Sequence, residues 1–550
     1  MISSRFVRTL GLLVFILMPA AVGLAQAEGS NKGLTRRERA LHAVSRLTFG
    51  AKPGLVEEVE RIGVEAWLEQ QFQRIQPDGE LKARMSVLES IDLTAKEVYD
   101  AFDLPAAANE TPAQRQARSV RREKPIQELP ASVMWRAVDN SAQVAEVMAE
   151  FWRNHLNVDA GKDGVGLYVG EYDRLVIRQN VFGSFADLLM ASAKHPAMLI
   201  YLDNAVSRRP PSKTELKNIA RSVERETGSK ERGQEALRIA AQNGLNENYA
   251  RELMELHTLG VDNGYTQKDV IALAEALTGW TVDNVRRSFH YEDDVHVPGD
   301  KFVLGKTVSR EKRRNGMAEA EQVIELLASH PGTADYLAKK LCTYYVADDP
   351  PAALVERTAR ELKKTRFDAK AALRVIVGSE EFFDRRHYRT KFRTPFEYVA
   401  AAVRASGAEV NDPSVLVRVV ADMGQKIYGC EDPTGYRDVA ESWRDPGVMV
   451  ARWRFALELA ANRVPGVTIP DSFFAEFAGK SVPALIDGMA RRILPAGLRH
   501  KTIAALMQLA VEHARVEAQG AGDPKAPKNN VSIERRLLGV LIGSPEFQEQ

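Results

Sequence analysis

Two cysteines, Cys342 and Cys430, are all the thiols in 550 residues. That excludes a disulfide-stapled scaffold and any zinc or haem motif that needs closely spaced cysteines. A single disulfide between them is permitted but not implied. Cys342 falls in the helical-looking ADYLAKKLCTYYV and Cys430 in the loop-like YGCEDPTG. Charge of one sign is lacking too: the net charge of +1 leaves no electrostatic footprint for nucleic acid or an anionic membrane surface. Runs of alternating β-branched residues are scarce, which argues against a fold built on strands. A Gly-rich phosphate loop, HExxH, GxSxG and CxxCH are all missing, so the common nucleotide enzymes, zinc proteases, α/β-hydrolases and covalent-haem proteins are unsupported.

Long apolar runs are nearly absent. The one at residues 10–24 is shorter than the ~20 residues a membrane span requires. Arg5 and Arg8 precede it and Ala25-Gln26-Ala27 follows, the order of a cleaved secretory signal over residues 1–27. No Arg-Arg pair precedes the run, so the general secretion route is expected, with the chain exported unfolded. The mature protein is then periplasmic or secreted, and any cofactor is acquired outside.

What is present is the composition of a folded protein, 45% hydrophobic and 27% charged. The length scales to roughly two to four domain-sized units. Apolar residues recur at three- and four-residue spacing almost everywhere, which predicts a mainly α, multi-helix globular protein. Helices are expected over residues 141–155, 184–194, 246–260 and 317–328, and from a Thr266/Asp269 cap to Gly279. Residues 207–235 and 518–531 mix charge with Pro and Gly and are expected as surface loops, the first as a mobile or weakly helical excursion. A short echo links VGSEEF at residues 377–382 to IGSPEF at residues 542–547. It is either a reused helix-end motif or the trace of two lobes, 28–388 and 389–550.

The densest polar block is GLNENYARELMELHTLGVDNGYTQKDVIALAEALTGW, residues 244–280. On a regular helix, at about 100° per residue, His257 lies in the apolar arc of Tyr249, Leu253 and Met254, while Arg251, Glu252 and Glu255 lie opposite. Glu247 stands at the edge of the polar arc and Asn246 near the helix start. His155 likewise closes the apolar stripe of Val144, Met148, Phe151 and Trp152. Two helices therefore each end a buried stripe with an imidazole. Either each ring is hydrogen-bonded and locks helix to helix, or both line one cavity as ligands or acid–base groups. The Glu247–Arg251 and Arg251–Glu255 spacings are those of solvated ion pairs. His296, in HVPGDKFVLG, is expected as a loop histidine in solvent, or as a site group helped by Asp294 or Asp300.

These blocks, with FWRNHLNV at residues 151–158, HPAMLIYLDN at residues 195–204 and MGQKIYGCEDPTGYRDVAESW further on, resemble a large bacterial family known as domain of unknown function 1800. The resemblance covers nearly the whole mature chain. One departure is Val297, where similar segments place Asp directly after the histidine. The resemblance implies an exported, largely helical protein with no assigned reaction, names no cofactor, and suggests an exported phosphatase-like partner. It also raises the weight of a polar site formed by His155, Asn246, Glu247, Arg251, Glu252 and His257. Two readings follow: a binding or assembly protein of the cell envelope, or an extracytoplasmic enzyme, metal-assisted or acid–base, working through that site.

Overall fold

Helices form where apolar spacing is bounded by a side chain that satisfies the free amides of the first turn. Thr35 with Glu38, Thr94 with Glu97, Ser212 with Glu215, Thr266 with Asp269 and Thr394 with Glu397 all close reciprocal capping boxes. Each such cap contributes about 1 kcal/mol. The structure is a computed structural model that describes residues 33–242, 244–261, 263–309, 316–520 and 531–550. The expected signal segment at 1–27 lies outside those residues.

The architecture is mainly α, as the periodicity predicts. Among the described residues, strands are confined to three two-stranded antiparallel ribbons, such as Trp280–Asp283 against Ser288–Tyr291. One connected apolar core takes in Leu47, Met148, Leu341, Tyr398 and Leu541. Buried Arg404, from the Pro395–Ser406 helix, stitches distant segments together by donating to the carbonyls of Gly50 and Val138, each at 2.7 Å. Both cysteines are buried and unpaired. No helix among the described residues is long and apolar enough to cross a membrane.

Three local expectations change. Residues 207–235 are an exposed excursion, but more than a weakly helical loop: they enter a hairpin of two helices, Lys213–Thr227 and Lys230–Gln242, the first with no buried side chain. The Lys, Glu, Arg and Ala between the Pro and Gly punctuation are good helix formers, and the punctuation masked them. The His500–Gly520 helix runs into the expected 518–531 loop, of which 521–530 lie outside the described residues. The polar block is not one regular helix either. A short α-helix, Asn248–Glu252, passes into a π-helical turn, Leu253–Thr258, where Thr258 Oγ1 donates to Leu253 O at 2.7 Å. A second π-helical stretch spans Tyr172–Arg178. Such wide turns concentrate at functional sites, and here they present His257, Asp173 and Arg178.

The sequence echo is a shared helix end. Ser379 Oγ donates to Ile376 O and Ser544 Oγ to Leu541 O, both at 2.7 Å.

Candidate functional site

His155 and His257 meet in the interior. Both are 1% exposed, and their ring centroids lie 6.4 Å apart. His155 Nε2 lies 3.1 Å from the backbone carbonyl of His257, which can only accept, so the ring donates and its Nδ1 is the unprotonated nitrogen. Phe151 stacks on His155 at 6.0 Å, with Trp152, Phe185 and Tyr336 around it. Among the described residues, His155 Nδ1 and His257 Nε2 have no hydrogen-bond partner.

Burial, reinforced by the Lys340 ammonium, pushes His155 well below its ordinary range and His257 down to about 3. Both rings are neutral in the folded chain, whereas in the unfolded chain each binds a proton near pH 6.5. Their contribution is therefore whole above that pH and shrinks as the pH falls, because only the unfolded chain gains protons. Between pH 7 and pH 5 each ring is expected to cost about 2 kcal/mol of stability. Denaturant unfolding of a His155→Phe variant should recover that amount of the acid-induced loss; a variant with an unchanged pH slope would contradict neutral burial.

The remaining residues of the polar block do not join the imidazoles. Glu247 accepts from Gln267 Nε2 at 2.6 Å and from Arg251 Nη2 at 3.2 Å, and Arg251 also faces Glu255 at 3.7 Å. This is a partly exposed ion-pair ladder, a class contributing about 0–1 kcal/mol. Asn246 caps the helix start through Oδ1, which accepts from Asn248 N at 2.9 Å. Glu252 turns elsewhere: burial, with the Glu255 and Asp432 carboxylates, pushes its carboxyl up.

What the fold brings together is a set of sequence blocks far apart in the chain, closing on residues 426–436. Ala160 N donates to Tyr428 O at 2.8 Å, and Asn157 Nδ2 donates to Cys430 O at 2.9 Å and Asp432 O at 3.0 Å. Tyr201 O–H donates to Glu431 O at 3.0 Å. Asn154 clasps Tyr436 twice, donating to its carbonyl at 2.8 Å and accepting from its amide at 2.7 Å. The clasp requires Gly435, whose φ is +74° and where an added Cβ would stand 2.4 Å from Asn154 O.

These contacts border a cleft of about 520 Å³ lined by Asp159, Lys162, Tyr201, Lys426, Tyr428 and Glu431, with Ile126, Leu129 and Pro130 as an apolar wall. Lys162 is held by Tyr201 O and Asp203, each at 2.6 Å. Beneath it lies a buried charge network. Tyr428 O–H donates to Asp173 at 2.8 Å, and Asp173 also receives Arg153 at 3.2 Å and Arg178 at 2.6 Å. Arg153 pairs with Glu150 and Arg178 with Glu146. Burial pushes the Asp173 carboxyl up, but Arg178 and Arg153 outweigh it and hold the group below the ordinary carboxylate range.

Two further groups escaped sequence reasoning because only tertiary packing exposes their character. Burial lowers Lys340 to about 8, opposed by Asp438. Burial raises Asp438 to about 6, against the pull of Lys391 and Lys340.

His296 is not a solvent-facing loop residue. It is 4% exposed, with Nε2 3.0 Å from Glu319 and Nδ1 2.8 Å from Thr278 O. Lys301 pairs with the same Glu319 carboxylate, and both side chains are almost fully buried. The partners are therefore Glu319 and Lys301, not Asp294 or Asp300. The sequence shows only their types; the hairpin Lys301–Val303/Lys306–Val308 and the Met317–Ala328 helix supply the proximity.

Among the described residues, no group of three or more His, Cys, Asp or Glu side chains is placed to hold a metal ion. Comparison with known proteins gives one family match, described as "Protein of unknown function (DUF1800)", over residues 42–549. No curated protein and no solved structure matches.

Proposed function

The chain belongs to the DUF1800 family, and from that premise we propose that it is an exported binding or assembly protein of the cell envelope whose partner engages the cleft beside residues 426–431. The observation that carries this reading is the convergence of residues 159–162, Tyr201 of YLDN and residues 426–431 of MGQKIYGCEDPTGY on one cleft, with Asn154 and Asn157 of FWRNHLNV bracing the last segment. Its mixed lining of tyrosines, both charge signs and an apolar wall suits recognition. The two imidazoles support it as well, since His155 is spent on a backbone carbonyl inside an aromatic shell and burial keeps both rings neutral. An enzyme built on a His/Glu/Arg cleft is less well supported, because Glu247 and Arg251 are committed to each other and to Gln267. The partner that the family resemblance implies is an exported phosphatase-like protein.

A photo-crosslinking residue in place of exposed Lys426, in the native host, tests this. A discrete envelope-fraction adduct with a phosphatase-like protein is expected, absent when the crosslinker replaces exposed Val285 and weakened by Lys162→Glu. No adduct at Lys426, or the same adduct at Val285, overturns the reading. Stoichiometric metal in the purified protein, lost in His155→Ala, would turn the balance toward the enzyme.

A further inference from the structure

A buried guanidinium in this fold either meets a carboxylate, as Arg153 and Arg178 meet Asp173, or stands singly on carbonyls, as Arg404 does. At one place three gather. Among the described residues Arg46, Arg389 and Arg393 bond only to backbone carbonyls. Arg46 Nη2 donates to His387 O at 2.8 Å, and Arg389 Nη1 to Ala496 O at 3.2 Å and Gly497 O at 3.3 Å. Arg393 Nη1 donates to Phe547 O and, at 3.2 Å, to Glu549 O. Arg46 Nε and Nη1, Arg389 Nη2 and Arg393 Nε are enclosed and unbonded. So is Glu546 Oε2, although Glu546 Oε1 accepts from Arg499 N and Thr502 Oγ1, each at 2.8 Å.

The cations act on one another. Burial lowers Arg393 to about 10 and Arg46 to about 9; Glu397 opposes both, while Arg389 presses on Arg393 and Arg393 on Arg46. Glu397 makes no ion pair with them: its oxygens accept from Thr394 N at 2.8 Å and Gln550 Nε2 at 3.1 Å. Arg389, Arg393 and Glu546, with His42, Arg492 and Glu549, line a cavity of about 60 Å³. That is room for about four water-sized occupants, the bulk of one tetrahedral oxyanion and too little for a nucleotide. Arg492 and Glu549 are already paired, with Glu476 and Arg499, and His42 is held neutral by burial and by Arg46. Water alone would fill the space without supplying the missing negative charge, and a buried cation without a counter-charge is costly.

We propose that this cavity binds inorganic phosphate, held by Arg389 and Arg393 and selected by Glu546. The guanidinium N–H groups donate to unprotonated phosphate oxygens, and Arg46 adds positive potential from the Arg36–Leu47 helix. The Glu546 carboxylate can only accept, so it suits an oxyanion that still carries an O–H. Free phosphate keeps a proton at neutral pH. Sulfate has none, and a phosphate monoester loses its last near pH 6. An unprotonated oxygen against Glu546 would set two like charges together, which selects free phosphate over both. The site shares no side chain with the cleft at residues 426–431 and does not depend on the partner proposed there.

Equilibrium dialysis of the purified chain against radiolabelled inorganic phosphate, at about pH 7.5 so that monoesters are unprotonated, tests it. Saturable binding of a single phosphate is expected, with sulfate and phosphoserine at least about 10-fold weaker as competitors. Arg389→Lys, at a half-buried position, should weaken phosphate about 10-fold, since an ammonium cannot reproduce the guanidinium fork. Its melting temperature without phosphate should stay near that of wild type. Glu546→Gln puts an amide donor beside the carboxylate's place and should turn the preference around, weakening phosphate and strengthening sulfate. Absence of saturable phosphate binding overturns the proposal, as does sulfate or phosphoserine competing as well as phosphate itself. An Arg389→Lys variant with unchanged phosphate affinity, or a folded Glu546→Gln variant with the original preference, overturns it too.

Discussion

Asp173→Ala is expected to cost about 3–5 kcal/mol of unfolding free energy. The carboxylate is 2% exposed and receives Arg153, Arg178 and Tyr428 together. Its removal leaves two guanidinium groups in low dielectric with only Glu150 and Glu146 as counter-charges. The loss exceeds that of an exposed ion pair because desolvation has already been incurred and cannot be recovered. The effect depends on pH in a definite direction. A carboxyl held below its unfolded value stabilises the fold above about pH 4, and that contribution drains away as acid protonates it in the folded state. Urea unfolding of wild type and variant at pH 7 measures the difference; a loss under about 1 kcal/mol would mean that the network is hydrated and the account wrong. The variant should also loosen residues 426–436, since Tyr428 would lose the acceptor of its hydroxyl. Faster amide exchange there would tie the buried charges to the cleft above them.

The second large effect is expected at Glu319→Ala. Lys301 and His296 share this carboxylate in the interior, and deleting it strands the Lys301 ammonium with Val297 O as its remaining oxygen partner. A loss of about 3–5 kcal/mol is expected. The informative comparison is the double variant Glu319→Ala/Lys301→Met, which removes both charges and keeps the aliphatic stem. It should regain most of the loss, since a missing pair is far less costly than half of one. Thermal or denaturant unfolding of the three proteins decides this. A double variant no more stable than the single would show that shape, rather than stranded charge, sets the penalty.

The local grammar of the chain was legible from sequence. The Met317–Ala328 helix, the Ser184 cap and the Thr266/Asp269 box are where apolar spacing and capping chemistry place them. Gly279, with φ at +84°, follows the Gln267–Leu277 helix and leaves 2.5 Å between a would-be Cβ and Glu292 O, so only glycine fits. The inward direction of His155 and His257 was legible for the same reason, because each lies on the apolar stripe of its own segment. The π-helical turn at Leu253–Thr258 was not, since a reading at fixed angular steps has no means of finding one extra residue in a turn. Nor was the burial of His296, which depends on Glu319 arriving from a helix more than twenty residues away. Lys340 and Asp438 are invisible for a stronger reason. Nothing beside either in the chain distinguishes it from a surface charge, and only the arrangement of distant carboxylates and rings gives it a character.

The helical hairpin described above leaves and rejoins the body at a single point, where Arg208 N donates to Gly244 O at 3.2 Å. Its stem is already pinned, with Arg209 N donating to Val295 O at 2.8 Å. Lengthening or trimming the excursion therefore alters only a loop whose ends are already closed, and closure entropy grows slowly with length. This makes the hairpin a natural insertion port: a fluorescent module or an affinity handle spliced at Gly228 would ride outside the body without disturbing the interior.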